Sequence, residues 1–559
     1  MIDLASLVLA PTAVKDGKVY NAIPNDQDFT FSRGTEATRV NSAGLIEKAR
    51  TNFLLQSNTF DTTWTNARLS SLTSGQSGYD GSNDAWSVVP NTANDDHKIY
   101  QSVSQTGVIT FSVYAKANGY NGLALVSSNT NNGKFFNLSN GTLGNDFNSS
   151  PIDSTITEIG NGWYRCEVVF NVSAGNFFTI YVSSDGTSTY SFSGNETDGI
   201  LIQSAQLEQG LTATDVITTT TTSVTVGITD DLPRVDYSGG GCPSLLLEPS
   251  RTNLIDNTEY FGGYSFFGNA SLTTNYGISP EGKQNGSRIT GLDGAGTNDL
   301  RKQLSFNCAN KTLSFSVYLK GSGTLRQQIS NGVDQAHTQI ITLTSEWKRH
   351  TVTGTFNSTS VSVTYLVLDD SGVTATEYEI WGTQFEEGSY ATSYIPSYGT
   401  STSRSADSCS LTNASNLIGQ SEGTFYWEGS FQNSINPILL QLIPSGGNYT
   451  NSIYLEYTGG NIRISSWYSG TLQAQISVSA SLNTNYKVAF AYKENDFVAY
   501  VNGTSIGSDT SGSIPDGLSR VFIGQLNSTT AESFVGCKPK QTILFPTRLT
   551  NDQLAELTK

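Results

Sequence analysis

Thr110–Lys116 reads TFSVYAK, and Ser314–Lys320 reads SFSVYLK. In the first stretch Phe111, Val113 and Ala115 alternate with Ser112, Tyr114 and Lys116, the period of two that turns one face of a strand into a core. The second stretch repeats this 204 positions later. Three further pairs keep the same order along the chain. ARTNFLLQSNTF (Ala49–Phe60) returns as SRTNLIDNTEYF (Ser250–Phe261), and GNGWYRCEVVF around Trp163 returns as TSEWKRHTVTGTF around Trp347. ILIQSAQLEQGLTATDVI, ending at Ile217, returns as YEIWGTQFEEGSYATSYI, ending at Ile395. Four ordered matches mark a duplicated strand-rich domain; a solenoid would repeat every 20–50 residues or so.

The offset between copies is 201 at Arg50/Arg251 but 184 at Trp163/Trp347. The first copy therefore carries extra residues between Lys116 and Trp163, where SSNTNNGKFFNLSNGTLGNDFNSS reads as long loops or an added hairpin. Cys166, Val168 and Phe170 alternate like a strand with one buried face, and Ile200, Ile202 and Ser204 share a face, as do Tyr378, Ile380 and Gly382. The expected division is an N-terminal attachment segment (1–49), a first jelly-roll sandwich (50–217), an ordered linker (218–249), a second jelly roll (250–400) and a different sandwich (401–559). The linker is read as a strap, because Leu245, Leu246 and Leu247 need burial.

In the last region Tyr486, Val488, Phe490 and Tyr492 share one strand face, and Phe497–Val501 forms the next strand. Asn502-Gly503 then signals a type I′ hairpin, since both residues tolerate positive φ. Thr550 and Gln553 form a capping box for one short C-terminal helix, with Leu549 and Leu554 placed as a hydrophobic staple. The fold class expected is all-β: tandem β-sandwich (jelly-roll) domains and one short helix.

Composition agrees. Only 14% of residues are charged, against about 25% in ordinary globular proteins. Ser, Thr, Asn and 54 glycines take their place, as strands and turns require. A net charge of −17 without a basic run argues against nucleic-acid binding. No apolar run approaches the ~18 residues of a membrane span, so no membrane insertion is expected. Leu4–Ala10 is apolar but follows Asp3 and no basic stretch, a poor signal peptide. Cys166, Cys242, Cys308, Cys409 and Cys537 show neither a disulfide framework nor a zinc signature, and are read as buried free thiols. Three histidines (His97, His337 and His350) argue against a His-rich metal site.

LPRVDYSGGGCPSLLLEPSRTNLI (Leu232–Ile255), with SRGTEATRV (Ser32–Val40) and QFEEGSYATSYIP (Gln384–Pro396), closely resembles a recurrent module of phage tail and fibre proteins. There an Arg-Thr-Asn segment opens a carbohydrate-binding-module-like jelly roll and a Q-L-E-x-G strand closes it. TSRSADSC (Thr402–Cys409) resembles the bridge such proteins place before the next domain. Gly423–Phe431, Lys487–Gly503 and Ile543–Leu557 resemble the concanavalin-like, laminin-G-type sandwich. The resemblance implies a virion component, a fibre or appendage, that docks on other virion proteins through its N-terminal segment. It also implies a homotrimer that contacts host-surface glycans. Capsid or tail decoration without a ligand, and a polysaccharide depolymerase, are the alternatives.

No nucleophile elbow, P-loop or H-E-x-x-H motif occurs, no carboxylate pair stands out, and the expectation is no enzyme, no cofactor and no metal. Glu208 and Glu386 hold matching positions; structural Ca²⁺ ligation, known in related jelly rolls, is weighed against the favoured reading of satisfied strand-end polar groups. Asp230-Asp231 and Asp369-Asp370 are read as solvated loop residues. Trp163 and Trp347 are read as core, and Trp381, Trp427 and Trp467 stay undecided. Trp64 and Trp86, in loop-rich text, are the better candidates for stacking on sugar rings, but no ligand-binding residue is assigned.

Overall fold

A computed structural model describes residues 2–15, 17–23, 27–432, 437–447, 450–525 and 536–559. Strands dominate, and the one α-helix among the described residues is Asn551–Leu557. The strands assemble into three sandwiches.

The two copies share one strand order. In the first, one sheet runs Trp163–Val172, Gly107–Asn118, Gly199–Gln209, Ala85–Pro90, Leu69–Gln76. In the second it runs Lys348–Thr355, Thr312–Gly321, Glu377–Glu387, Gln284–Thr290, Ser271–Ile278. The facing sheets also correspond strand for strand, with Gly122–Ser127 and Asn176–Ser183 in the places of Thr324–Ser330 and Thr364–Asp369. The first copy adds Thr142–Asp146 to the edge of one sheet and Asp153–Gly160 to the edge of the other, within the stretch where the offset falls. Phe111, Val113, Ala115, Cys166, Val168 and Phe170 are all buried between the sheets, as their alternation requires.

That alternation breaks once, at the same point in both copies. Ser204 (φ 53°) and Gly382 (φ 63°) sit at β-bulges, where pairing with Gly107–Asn118 and Thr312–Gly321 slips by one residue. Before the bulge Ile200 and Ile202 face the core; after it Ala205 and Leu207 do. The bulge thus turns Gln206 and Glu208 away from the core.

The third sandwich is a ribbon of fourteen strands doubled over one core. Leu440, Ile453 and Ile464 from one half pack with Phe425, Trp427 and Phe490 from the other. Phe431 and Tyr457, from opposite halves, lie 4.6 Å apart. Residues 1–49 do not stand apart as a separate attachment segment. Leu7–Lys15 pairs antiparallel with Cys537–Phe545, and Phe29–Ser32 pairs with Ser408–Leu411. The reason is apolar alternation: Leu7, Leu9, Phe29 and Phe31 are fully buried in that core. The linker's Leu245 and Leu247 join the same cluster, while Leu246 is also buried. Asn502 (φ 48°) and Gly503 (φ 80°) make the tight hairpin turn. Thr550 Oγ1 accepts the Gln553 amide, and Gln553 Oε1 accepts the Thr550 amide at 2.8 Å, completing the capping box.

Candidate functional site

The conserved spacing of the duplication becomes a hydrogen-bond clamp. The Asn52 side chain donates to the Ile217 carbonyl (2.9 Å) and accepts the Leu207 amide (3.0 Å). Asn253 does the same with Ile395 (2.8 Å) and Phe385 (3.0 Å). Glu208 accepts the Thr214 amide (2.8 Å) and hydroxyl, and Glu386 accepts the Thr392 amide (2.6 Å) and hydroxyl (2.8 Å). Gln206 and Gln384 donate to these carboxylates and accept the Ile217 and Ile395 amides, both at 2.7 Å. Glu208 and Glu386 therefore tie the closing strand to the segment that follows it.

The aspartate pairs divide. Asp230 and Asp231 are exposed. Asp369 and Asp370, expected in solvent, are buried. Asp369 accepts both contacts from Arg326 Nε (2.8 and 2.9 Å). Asp370 gathers the amides of Asp293, Gly294 and Gly296 and the side chain of Asn298. Burial would raise its carboxyl, but these donors outweigh it and hold it well below the usual range. Among the described residues no cluster of three or more His, Cys, Asp or Glu is arranged to hold a metal ion.

The tryptophans also need correction. Trp64 and Trp86 are core residues, packed around Phe60 with ring centroids 5.2 and 6.1 Å from it. Their indole N–H groups donate to the Gln56 and Asn58 carbonyls, so neither offers a free stacking face. Trp163 is buried beside Tyr79 and Tyr114, whereas Trp347 is half-buried. Trp381 and Trp427 are buried, and half-buried Trp467 donates to Tyr454 Oη at 3.1 Å. Cys166, Cys308, Cys409 and Cys537 are buried free thiols; Cys242 is exposed, since it follows the Gly239–Gly241 turn.

Sequence reasoning missed the buried ion clusters at the seams. In one, Arg33 meets Asp407 (3.2 Å), Arg234 meets Glu248 (2.8 Å) and Asp407, and Arg404 meets Glu248 (2.8 Å). All five are almost fully buried and come from the N-terminal segment, the linker and the bridge. Burial opposes a charged Glu248, but Arg404 and Arg234 outweigh it and hold its carboxyl far below the ordinary range. In the other cluster Lys48, at the end of the N-terminal segment, and Arg50, which opens the first copy, meet Glu259 and Glu281 of the second. No local pattern announced them, because Arg33, Arg234 and Arg404 find their partners in segments far apart in the chain.

Two recesses flank these clusters. A cavity of about 210 Å³ at the seam of the copies is lined by Glu36, Arg50, Gln209 and Tyr398. Partial desolvation, then the charge of Asp230, raises the Glu36 carboxyl, although the residue itself is exposed. A larger cleft, about 830 Å³, opens between the second copy and the third sandwich. Its lining mixes apolar groups such as Val40, Ile46 and Leu246 with polar ones: Ser238, Thr351, Thr353, Tyr390, Arg349 and Lys538. Its carboxylates are engaged, Asp236 by Lys538 (3.0 Å) and Glu248 by two arginines. Such a lining can bind a polar ligand through hydroxyls, rings and a guanidinium.

No family model matches the chain, and no curated protein matches it. Among solved structures it is similar to the Ruminococcus gnavus IT-sialidase CBM40 bound to α2,3-sialyllactose, at 16% identity and a TM-score of 0.24, over 26% of this chain and 86% of that one. It is also similar to the NanB sialidase of Streptococcus pneumoniae at 15% identity and a TM-score of 0.23, over 26% of each chain. A third similarity is to the botulinum neurotoxin serotype G binding domain, at 11% identity and a TM-score of 0.23, over 27% of this chain and 39% of that one.

Proposed function

We propose that this chain is a structural component of a phage particle, a fibre or appendage protein whose sandwiches meet surface glycans without cutting them. The observation that carries the reading is the fusion of the seams by buried charge. Arg33, Arg234, Arg404, Glu248 and Asp407 knit the N-terminal strands, linker and bridge together, while Lys48 ties the N-terminal segment, and Arg50 the first copy, to the second copy. Such seams suit rigid presentation of binding surfaces. The likeness of Leu232–Ile255 and Gln384–Pro396 to phage tail modules supports the particle, and a trimer with it. Docking would then use a folded face, since Leu7–Lys15 lies inside a sheet.

A depolymerase is the second reading: Glu36 lines a cavity and its carboxyl is raised, but the residue is exposed, whereas hydrolysis needs an acid shielded and held protonated. The test is to incubate purified chain with capsular or surface polysaccharide of a candidate host. New reducing ends and retention of the protein on cells are measured together. Retention without release is expected. Steady release that Glu36→Gln abolishes would replace this reading with the hydrolase. Absence of both would leave a decoration role without a ligand.

A further inference from the structure

We propose that the large cleft beside the second copy takes the carboxylate of an acidic saccharide, anchored by Arg349. This rests on the glycan-contact reading above and names the ligand class and the site.

The duplication supplies an internal control. In the first copy Arg165 lies over the Tyr114 ring (5.3 Å), donates to the Thr214 carbonyl, and has Glu167 as its counter-ion, Nε to Oε1 3.4 Å. In the second copy Arg349 lies over the Tyr318 ring (5.4 Å) and donates to the Thr392 carbonyl and to Ser316 Oγ (2.8 Å). Strand register makes the positions equivalent. Tyr114 faces Arg165 and Ser112 faces Glu167, as Tyr318 faces Arg349 and Ser316 faces Thr351. Thr351 thus stands where the first copy has its carboxylate. Among the described residues no carboxylate lies within ion-pair distance of Arg349. The cation and its aromatic seat are kept; the counter-ion is gone.

The other charges lining the cleft are matched from within. Arg39 pairs with Glu47 (2.9 Å), Lys538 with Asp236 (3.0 Å), and Glu248 with Arg234 and Arg404 (both 2.8 Å). A guanidinium carries five N–H donors in a fork that matches a carboxylate at two points, and the protein takes two of Arg349's. The surroundings favour a sugar as the carrier of that carboxylate. Thr351, Thr353, Ser238 and Ser389 line the cleft, and the Tyr390 hydroxyl is buried without a hydrogen-bond partner. Tyrosine rings and hydroxyls side by side suit the faces and edges of a pyranose. A volume of about 830 Å³ has room for a short oligosaccharide.

The probes are a trisaccharide ending in a hexuronic acid, the same trisaccharide with its carboxyl reduced to the alcohol, and a glutamate-rich peptide. Each is titrated calorimetrically into the full chain, with melting curves to confirm that every variant folds. The acid trisaccharide should bind about tenfold more tightly than its reduced form, the scale of one charge-assisted contact. Arg349→Gln should erase that preference. Thr351→Glu should erase it too, because it restores the first copy's counter-ion while leaving Arg349 in place. Equal binding of both trisaccharides, or a preference that survives Thr351→Glu, would overturn this site while leaving the glycan-contact reading intact. Peptide binding lost in Thr351→Glu, with no sugar binding, would assign the cleft to an acidic protein segment and overturn the proposal. Cell retention in the polysaccharide assay is read separately, so failure of the broader reading shows there.

Discussion

Glu208 and Glu386, 178 positions apart, each accept the backbone amide of a threonine six residues on, at 2.8 and 2.6 Å. Both carboxylates are fully buried, and both also take that threonine's hydroxyl. The pairing shows why Q-x-E recurs: it closes each sandwich by satisfying the amides of the chain that leaves it. Glu386→Ala should cost about 1–3 kcal/mol by leaving Thr392 donors unsatisfied. Chelation of divalent cations should leave Tm unchanged, because the carboxylates already have their partners. A Tm that falls on chelation would return Glu208 and Glu386 to the role of metal ligands.

Trp163 and Trp347 occupy equivalent places but differ in burial. Tyr79 stacks on Tyr114 at 3.8 Å and closes the face around Trp163, while Trp347 stays half-buried with its N–H on the Ile278 carbonyl (2.8 Å). Trp163→Ala should cost about 3–5 kcal/mol in chemical denaturation, the range for emptying a core indole site. Trp347→Ala should cost clearly less. Equal losses would mean that the two environments are energetically alike.

The strands of the duplication were legible because their cores alternate at period two and the motif order repeats. The bulges at Ser204 and Gly382 were not: a one-residue slip leaves composition unchanged and only reverses which residues face inward. The N-terminal strands were hidden for another reason. Phe31 pairs with Cys409 and Leu7 with Leu544, partners that no local pattern identifies. Trp64 and Trp86 misled because their surroundings read as loops, yet those loops fold over the core and offer carbonyls to the indoles. Asp370 misled similarly, since its donors lie more than seventy residues away. The unmatched Arg349 needed the strand register as well as the repeat, because only the register shows that Thr351 takes the place of Glu167.

Asp407 bridges Arg33 and Arg234 and also accepts the Glu248 amide (2.8 Å). Asp407→Asn keeps the shape and removes the charge, leaving buried guanidinium groups short of a counter-ion. A loss of about 3–5 kcal/mol is expected, as when one partner of a buried ion pair is removed. Limited proteolysis should then cut the 218–249 linker, whose Arg234 and Glu248 belong to the cluster. An Asn variant that melts and resists protease like the parent would show that the cluster is not what fastens the seam.

Acid should loosen the seam between the copies first. Burial would raise the Glu281 carboxyl, but Arg50 and then Lys48 outweigh it and hold it at about 2, below its ordinary 4.5. A carboxylate depressed by folding contributes stability that is fully present above its unfolded value and is lost as pH falls toward the folded one. For Glu281 the window runs from about 4.5 down to about 2. Glu248, depressed further by Arg404 and Arg234, extends the loss to lower pH. Urea midpoints measured at pH 7, 4.5, 3 and 2 should therefore be level at first and then fall. Glu281→Gln should start lower at pH 7 and fall less steeply between 4.5 and 2, because one titrating group has been removed from the seam. An unchanged slope in that variant would show that other carboxylates, such as Asp370, govern the acid transition.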